Sequence, residues 1–133
     1  MKARIFISLI AFLNLHTIVN AQEKIGGGLE IDKMIHNFGE VMLDDGPVTC
    51  EFTITNKGEK PAVIYNVTTT CGCTDVEWTR EPLKPRAKGK ISVTYSNDEG
   101  PYPFDKSITV YLSESKKPLI LKLRGVSLEK MKP

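Results

Sequence analysis

Val48 to Thr55 alternates without a break. Val48, Cys50, Phe52 and Ile54 fall on one side, and Thr49, Glu51, Thr53 and Thr55 on the other. A period of two puts every apolar side chain on one face of an extended strand, a pattern no helix holds. Shorter runs of the same kind recur along the chain. Ile31 to Ile35 and Phe38 to Met42 read as an interrupted first strand. Ala62 to Thr69 places Val63, Tyr65 and Val67 on one face, and Asp75 to Trp78 is a short strand. Lys90 to Asn97 turns Ile91, Val93 and Tyr95 inward. Phe104 to Leu112 turns in Phe104, Ile108, Val110 and Leu112, with Lys106 out of phase; Leu119 to Val126 turns in Leu119, Leu121 and Leu123. Turn clusters separate the runs, such as Asp44-Asp45-Gly46-Pro47 and the proline-bounded stretch from Glu81 to Gly89. No stretch keeps a helical period. About seven short strands at this spacing predict an all-β fold, an immunoglobulin-like antiparallel β-sandwich.

The N-terminus reads differently. Lys2 and Arg4 precede an apolar run from Ile5 to Leu13, and Val19-Asn20-Ala21 ends the segment with small residues. The apolar run is too short to span a bilayer, so residues 1–21 are expected to be a secretory signal peptide, cleaved before Gln22. No cysteine follows the cleavage site, so a lipid anchor there is not indicated. The expected mature chain is secreted or periplasmic, with no stable membrane insertion. Residues 22–30, with Gly26-Gly27-Gly28, read as a flexible leader; 31–126 form the sandwich; 127–133 form a short charged tail. Cleavage takes two of the 18 basic residues and leaves 16 against 16 acidic ones. A formally neutral chain gives no electrostatic reason to expect nucleic acid or an anionic membrane as partner.

Chemistry concentrates in Thr70-Cys71-Gly72-Cys73-Thr74. Three cysteines are present, and two of them flank one glycine. Three readings of Cys71 and Cys73 stand side by side. They are small structural residues at a tight strand exit, with Gly72 supplying an unusual backbone angle. They are a redox pair, bonded to each other or exchanging with Cys50. They are ligands of a soft metal, copper(I) or zinc. Cys50 lies toward the same end of the sandwich and is expected to be a free, buried thiol, one strand from the pair. No catalytic residue and no cofactor are expected. After the signal, His36 is the one histidine, and it reads as a turn or packing residue; no nucleophile elbow, phosphate loop or paired-histidine metal motif is present. Asn66-Val67-Thr68 is a glycosylation sequon or simply strand sequence, and Lys84, Arg86, Lys88 and Lys90 read as a solvated rim.

Several of these residues carry a resemblance. His36-Asn-Phe-Gly-Glu-Val41, then Phe52-Thr-Ile-Thr-Asn-Lys-Gly58 with Pro61, then Cys71-Gly-Cys-Thr74, then Leu83-Lys-Pro85 with Gly89 resemble a bacterial secreted family, domain of unknown function 1573. That family is similar to the immunoglobulin-like domains of the major sperm protein, PapD and Hydin type. The resemblance spans nearly all of Ile31 to Val126 and implies a sandwich of binding or scaffolding type. It implies no activity. Two residues depart from the family pattern: Arg86 stands where glycine is frequent, and Cys50 lies outside the motif. The function expected is a non-catalytic module that binds another envelope or extracellular protein. The alternative is thiol redox or copper/zinc handling through Cys71 and Cys73.

Overall fold

Alternation decides which residues meet, and two sheets result. The computed structural model describes residues 22–130, so the expected signal peptide lies outside the described residues. The strands are β1 (Glu23–Gly26), β2 (Leu29–Ile31), β3 (Ile35–Met42), β4 (Val48–Asn56) and β5 (Ile64–Thr69), then β6 (Thr74–Trp78), β7 (Lys88–Tyr95), β8 (Pro103–Leu112) and β9 (Leu119–Leu128). One sheet has five strands in the order β1-β2-β4-β7-β6, and the other has four in the order β3-β9-β8-β5. All neighbours are antiparallel except β3 and β9, which run parallel. The molecule is an immunoglobulin-like β-sandwich.

The inner faces form a continuous core. Phe52 and Ile54 from β4 and Ile91 and Val93 from β7 are fully buried; so are Ile108 and Val110 from β8 and Leu121 and Leu123 from β9. These are the inward positions that the alternation marks. Burial of such side chains is the main stabilising term, worth about 1.5–3 kcal/mol each.

Several expectations need correction. Residues 22–30 are not a loose leader: Glu23–Gly26 and Leu29–Ile31 pair as a hairpin, and Leu29 is 1% exposed. The glycines serve a close approach. Gly28 has φ +76°, and a Cβ there would come within 2.7 Å of the Gly58 Cα. This hairpin raises the strand number from about seven to nine, and its second strand joins β4 rather than continuing into β3. At the other terminus Ser127 is fully buried and β9 runs to Leu128, so the sandwich extends past Val126.

The Ala62–Thr69 run also differs. Val63 and Tyr65 do not face inward. The register of β5 against β8 shifts between Ile64 and Asn66. The extra residue turns Ile64 and Val67 into the core and leaves Tyr65 61% exposed. Ala62 instead pairs with Leu83, outside the strand. Finally, β4 and β5 lie in different sheets. The chain after Asn56 crosses between layers instead of folding back as a hairpin.

Candidate functional site

Residues 70–73 carry the chain from β5 in one sheet to β6 in the other. Within this link Cys71 and Cys73 are joined by a disulfide, with Cα atoms 5.1 Å apart. Groups other than sulfur hold the backbone. The Cys71 carbonyl accepts hydrogen bonds from the Thr69 hydroxyl (3.1 Å), the Thr74 hydroxyl (3.1 Å) and the Thr74 N–H (3.3 Å). The Cys73 carbonyl accepts one from the Ser96 N–H at 2.8 Å. The Cys73 N–H itself points to the Cys71 Sγ at 3.2 Å. Both cysteines are half-buried and Gly72 is exposed. Gly72 has no positive φ, and a Cβ on it would meet nothing within 4 Å. The unusual backbone angle expected there is absent.

A polar trio adjoins the sulfurs. Ligand atoms of Cys71, Cys73 and Glu99 all lie within 4.8 Å of one another. Lys106 Nζ reaches Glu99 Oε1 at 2.7 Å, and the Tyr95 hydroxyl donates to the same oxygen at 2.9 Å. These bonds, that from Lys106 foremost, hold the Glu99 carboxyl below its usual range. Tyr95 is 1% exposed and stacks on Phe104 at 4.3 Å. Burial, then the bond to Glu99, pushes its hydroxyl up to about 12. Lys106 breaks the inward alternation of β8 because it closes the end of the core. Its aliphatic stem is covered while its ammonium finds Glu99. That phase break was visible in the sequence; Glu99, in an irregular loop, gave no local sign.

With the sulfurs bonded to each other, the pair offers no thiolate to a metal. Reduced, two thiolates and one carboxylate would make a donor set suited to zinc. The Lys106 ammonium beside the carboxylate opposes a cation there.

Cys50 is buried and free. It faces Val93 on β7, which in turn faces Val76 on β6. A whole strand therefore stands between Cys50 and the strand that follows the pair. The one-strand separation expected from the sequence is corrected by the layer change between β4 and β5. Burial pushes the Cys50 thiol up to about 11, so it is inert at neutral pH.

His36 packs edge-on against Phe38 at 4.5 Å, and burial and then Lys33 lower its pKa. Asn66 is exposed on β5. Lys84, Arg86, Lys88 and Lys90 are exposed, and Lys90 pairs with Glu51 at 3.7 Å. Arg86 has φ +70° in a turn closed by the Ala87 N–H to the Lys84 carbonyl at 2.8 Å. Proline followed by a left-handed residue is type II turn chemistry, which explains the frequent glycine at this position.

Two asparagines are buried structural centres. Asn56 is fully buried: its amide donates to the carbonyls of Lys60 (2.7 Å) and Leu83 (2.9 Å), and its Oδ1 accepts from the Gly58 N–H (2.9 Å). Asn97 donates to the carbonyls of Met42 and Gly46 at 2.9 Å each and accepts from the Ser127 hydroxyl at 2.6 Å. In the sequence Asn56 reads as a turn residue and Asn97 as the end of the Lys90–Asn97 strand.

Comparison with known proteins agrees with this architecture. No curated protein matches the chain. Among solved structures, a protein of unknown function from Porphyromonas gingivalis W83 superposes with a TM-score of 0.65 at 18% identity, covering 85% of this chain and 51% of that one. The chain thus spans about half the length of that protein. The ASH/PapD-like domain 7 of human CEP192 gives a TM-score of 0.64 at 14% identity, over 87% of this chain and 96% of that domain. The Vibrio cholerae VesB protease gives 0.58 at 17% identity, over 74% of this chain and 32% of the protease. At these identities the likeness is one of fold. The family model described as protein of unknown function (DUF1573) matches residues 29–127, from the buried Leu29 to the buried Ser127, and the chain belongs to that family.

Proposed function

We propose that the protein is an exported, non-catalytic interaction module that binds another envelope or extracellular protein through the outer face of its four-stranded sheet. The exposure of that face carries the reading. Ile35, Tyr65 and Ile120 are 46%, 61% and 45% exposed, and Tyr111 lies beside Tyr65 with ring centroids 5.9 Å apart. Outward positions of a half-buried sheet are normally polar, and exposed aromatic and aliphatic side chains gathered on one face mark interaction surfaces. The polar groups of the family motif support the same reading, since Asn56 is consumed in closing turns. The likeness to a PapD-like domain is in keeping with a binding role. Nucleic acid is not proposed as partner for a chain of balanced charge. No helix among the described residues is long and apolar enough to cross a membrane. Export rests on the leader pattern of residues 1–21, and cleavage before Gln22 would leave β1, which starts at Glu23, whole.

Photo-crosslinking tests the surface. A crosslinking residue at Ile120 should capture one protein in expressing cells, and Tyr65→Ser should abolish the adduct. The same residue at Lys90, on the outer face of the other sheet, should capture none. Equal adducts from both faces, or none from Ile120, would contradict the reading. An intact mass beginning at Gln22 supports export, and a secreted species retaining Met1 overturns that cleavage.

A further inference from the structure

We infer that Cys71 and Cys73 form a thiol–disulfide exchange site for a dithiol substrate, with Cys73 the sulfur attacked and Cys71 the sulfur that leaves. The inference is independent of the binding surface proposed above. It starts from what the disulfide does not do. The bond spans one residue. In the chain-entropy relation a loop of three residues contributes about half of what a loop of fifteen does. The backbone it joins is already fixed by the Thr69, Thr74 and Ser96 hydrogen bonds. The loop therefore keeps its place whether the sulfurs are bonded or not. An approaching thiol meets a half-exposed pair with open space over Gly72.

The surroundings distinguish the two sulfurs. The Cys73 N–H lies 3.2 Å from the Cys71 Sγ and stabilises negative charge there. A thiolate of the substrate forms a bond to the Cys73 Sγ. The Cys71–Cys73 bond breaks, and its electron pair leaves on the Cys71 Sγ. The second substrate thiol, on losing its proton to solvent, attacks the substrate sulfur of the mixed disulfide and releases Cys73 as thiolate. The two cysteines take up two protons from solvent. The substrate is oxidised to a disulfide and the cysteine pair is reduced, two electrons each way. A dithiol is the matching partner because its second thiol completes the exchange and leaves no mixed disulfide behind.

Glu99 and Lys106 tune the step. A bare carboxylate within 4.8 Å of the sulfurs would repel the leaving thiolate, and the Lys106 ammonium, 2.7 Å from that carboxylate, cancels the repulsion. Both are positioning residues.

The test uses the oxidised folded protein, dithiothreitol as dithiol and glutathione as monothiol, with alkylation and mass analysis. Dithiothreitol should reduce the Cys71–Cys73 pair while Cys50 stays unalkylated. Lys106→Met should slow the reduction about three- to tenfold, because the uncompensated Glu99 carboxylate repels the leaving thiolate. Adding Glu99→Gln to Lys106→Met should restore the rate. With iodoacetamide, Cys71 in Cys73→Ser should react at lower pH than Cys73 in Cys71→Ser, since the Cys73 N–H faces the Cys71 sulfur. A monothiol should leave a mixed disulfide on Cys73. Reduction only under denaturing conditions, an unchanged rate in Lys106→Met, or a mixed disulfide on Cys71 would overturn the inference. So would one zinc ion per chain held by the reduced pair and protecting it from alkylation, which would make the pair a metal site.

Discussion

The two ends of the five-stranded sheet are each closed over a buried asparagine, but only one of them leaves reactive groups open. At the Asn56 end every connection is closed over a buried amide. Asn56 ties together Gly58, Lys60 and Leu83, its own N–H reaches Ala87, and Gly28 lies against Gly58. At the Cys71 end the link is also pinned, by Thr69, Thr74 and Ser96, but its reactive groups stay half-exposed and an ion pair stands beside them. Closure is common to both ends, since beside the Cys71 link the buried Asn97 ties Met42, Gly46 and Ser127. The Cys71 end differs in holding its link independently of its sulfurs and leaving them available.

The largest expected effect tests whether the N-terminal hairpin belongs to the closed end. Leu29→Ala removes a side chain that is 1% exposed, so urea unfolding should show a loss on the order of 2–5 kcal/mol from transfer and cavity terms. A loss within about 0.5 kcal/mol, as for a surface site, would return residues 22–30 to a loose leader.

Next comes the amide itself. Asn56→Ala leaves the Lys60 carbonyl and the Gly58 N–H without their partner, while the Leu83 carbonyl keeps the Ala62 N–H. Each buried group left unpaired costs about 1–3 kcal/mol, so chemical denaturation should register a loss of about 2–4 kcal/mol. An effect no larger than that of a surface alanine would erase the contrast between the ends.

A smaller change should move the other way. Arg86 is exposed and holds φ +70°. Arg86→Gly should raise stability by about 1 kcal/mol, the cost of a left-handed conformation for a residue with a Cβ. A lower melting temperature in this variant would show that the arginine side chain contributes something the turn does not.

The smallest effect concerns pH. The folded-state pKa of Glu99 is depressed by Lys106 and Tyr95. Its contribution is present above the unfolded carboxylate value and is lost as pH falls through the folded one. Melting curves from pH 7 to pH 3 should therefore decline less in Glu99→Gln than in the native protein. Parallel declines would remove Glu99 from the electrostatics of the open end.

Much of this was legible in the chain. The strict period at Val48–Thr55 marks Cys50, Phe52 and Ile54 correctly, although Val48 is only half-buried and Thr55, placed outward, is buried; the weaker ones at Lys90–Asn97, Phe104–Leu112 and Leu119–Val126 mark the buried residues correctly. Alternation is a direct imprint of a one-sided core. The failures have physical causes. A bulge at Tyr65 inverts the phase without altering composition. A glycine run reads as slack when its role is close backbone approach, because the partner, Gly58, is remote in sequence. The layer change after Asn56 leaves no periodic trace, so the strand order that sets β7 between Cys50 and β6 is not legible in the sequence. Of the open end, the Cys-Gly-Cys element announced itself. Glu99 did not, since only the fold brings its loop to the sulfurs.

The central claim is that the sandwich stands without the Cys71–Cys73 bond. Urea unfolding of the native protein, oxidised and fully reduced, tests it directly, with Asn56→Ala measured alongside. The account predicts that reduction leaves a cooperative, folded domain and costs less than about 2 kcal/mol, the most a three-residue loop provides, and less than Asn56→Ala costs. Loss of the folded state on reduction, or a cost exceeding that of Asn56→Ala, would contradict it.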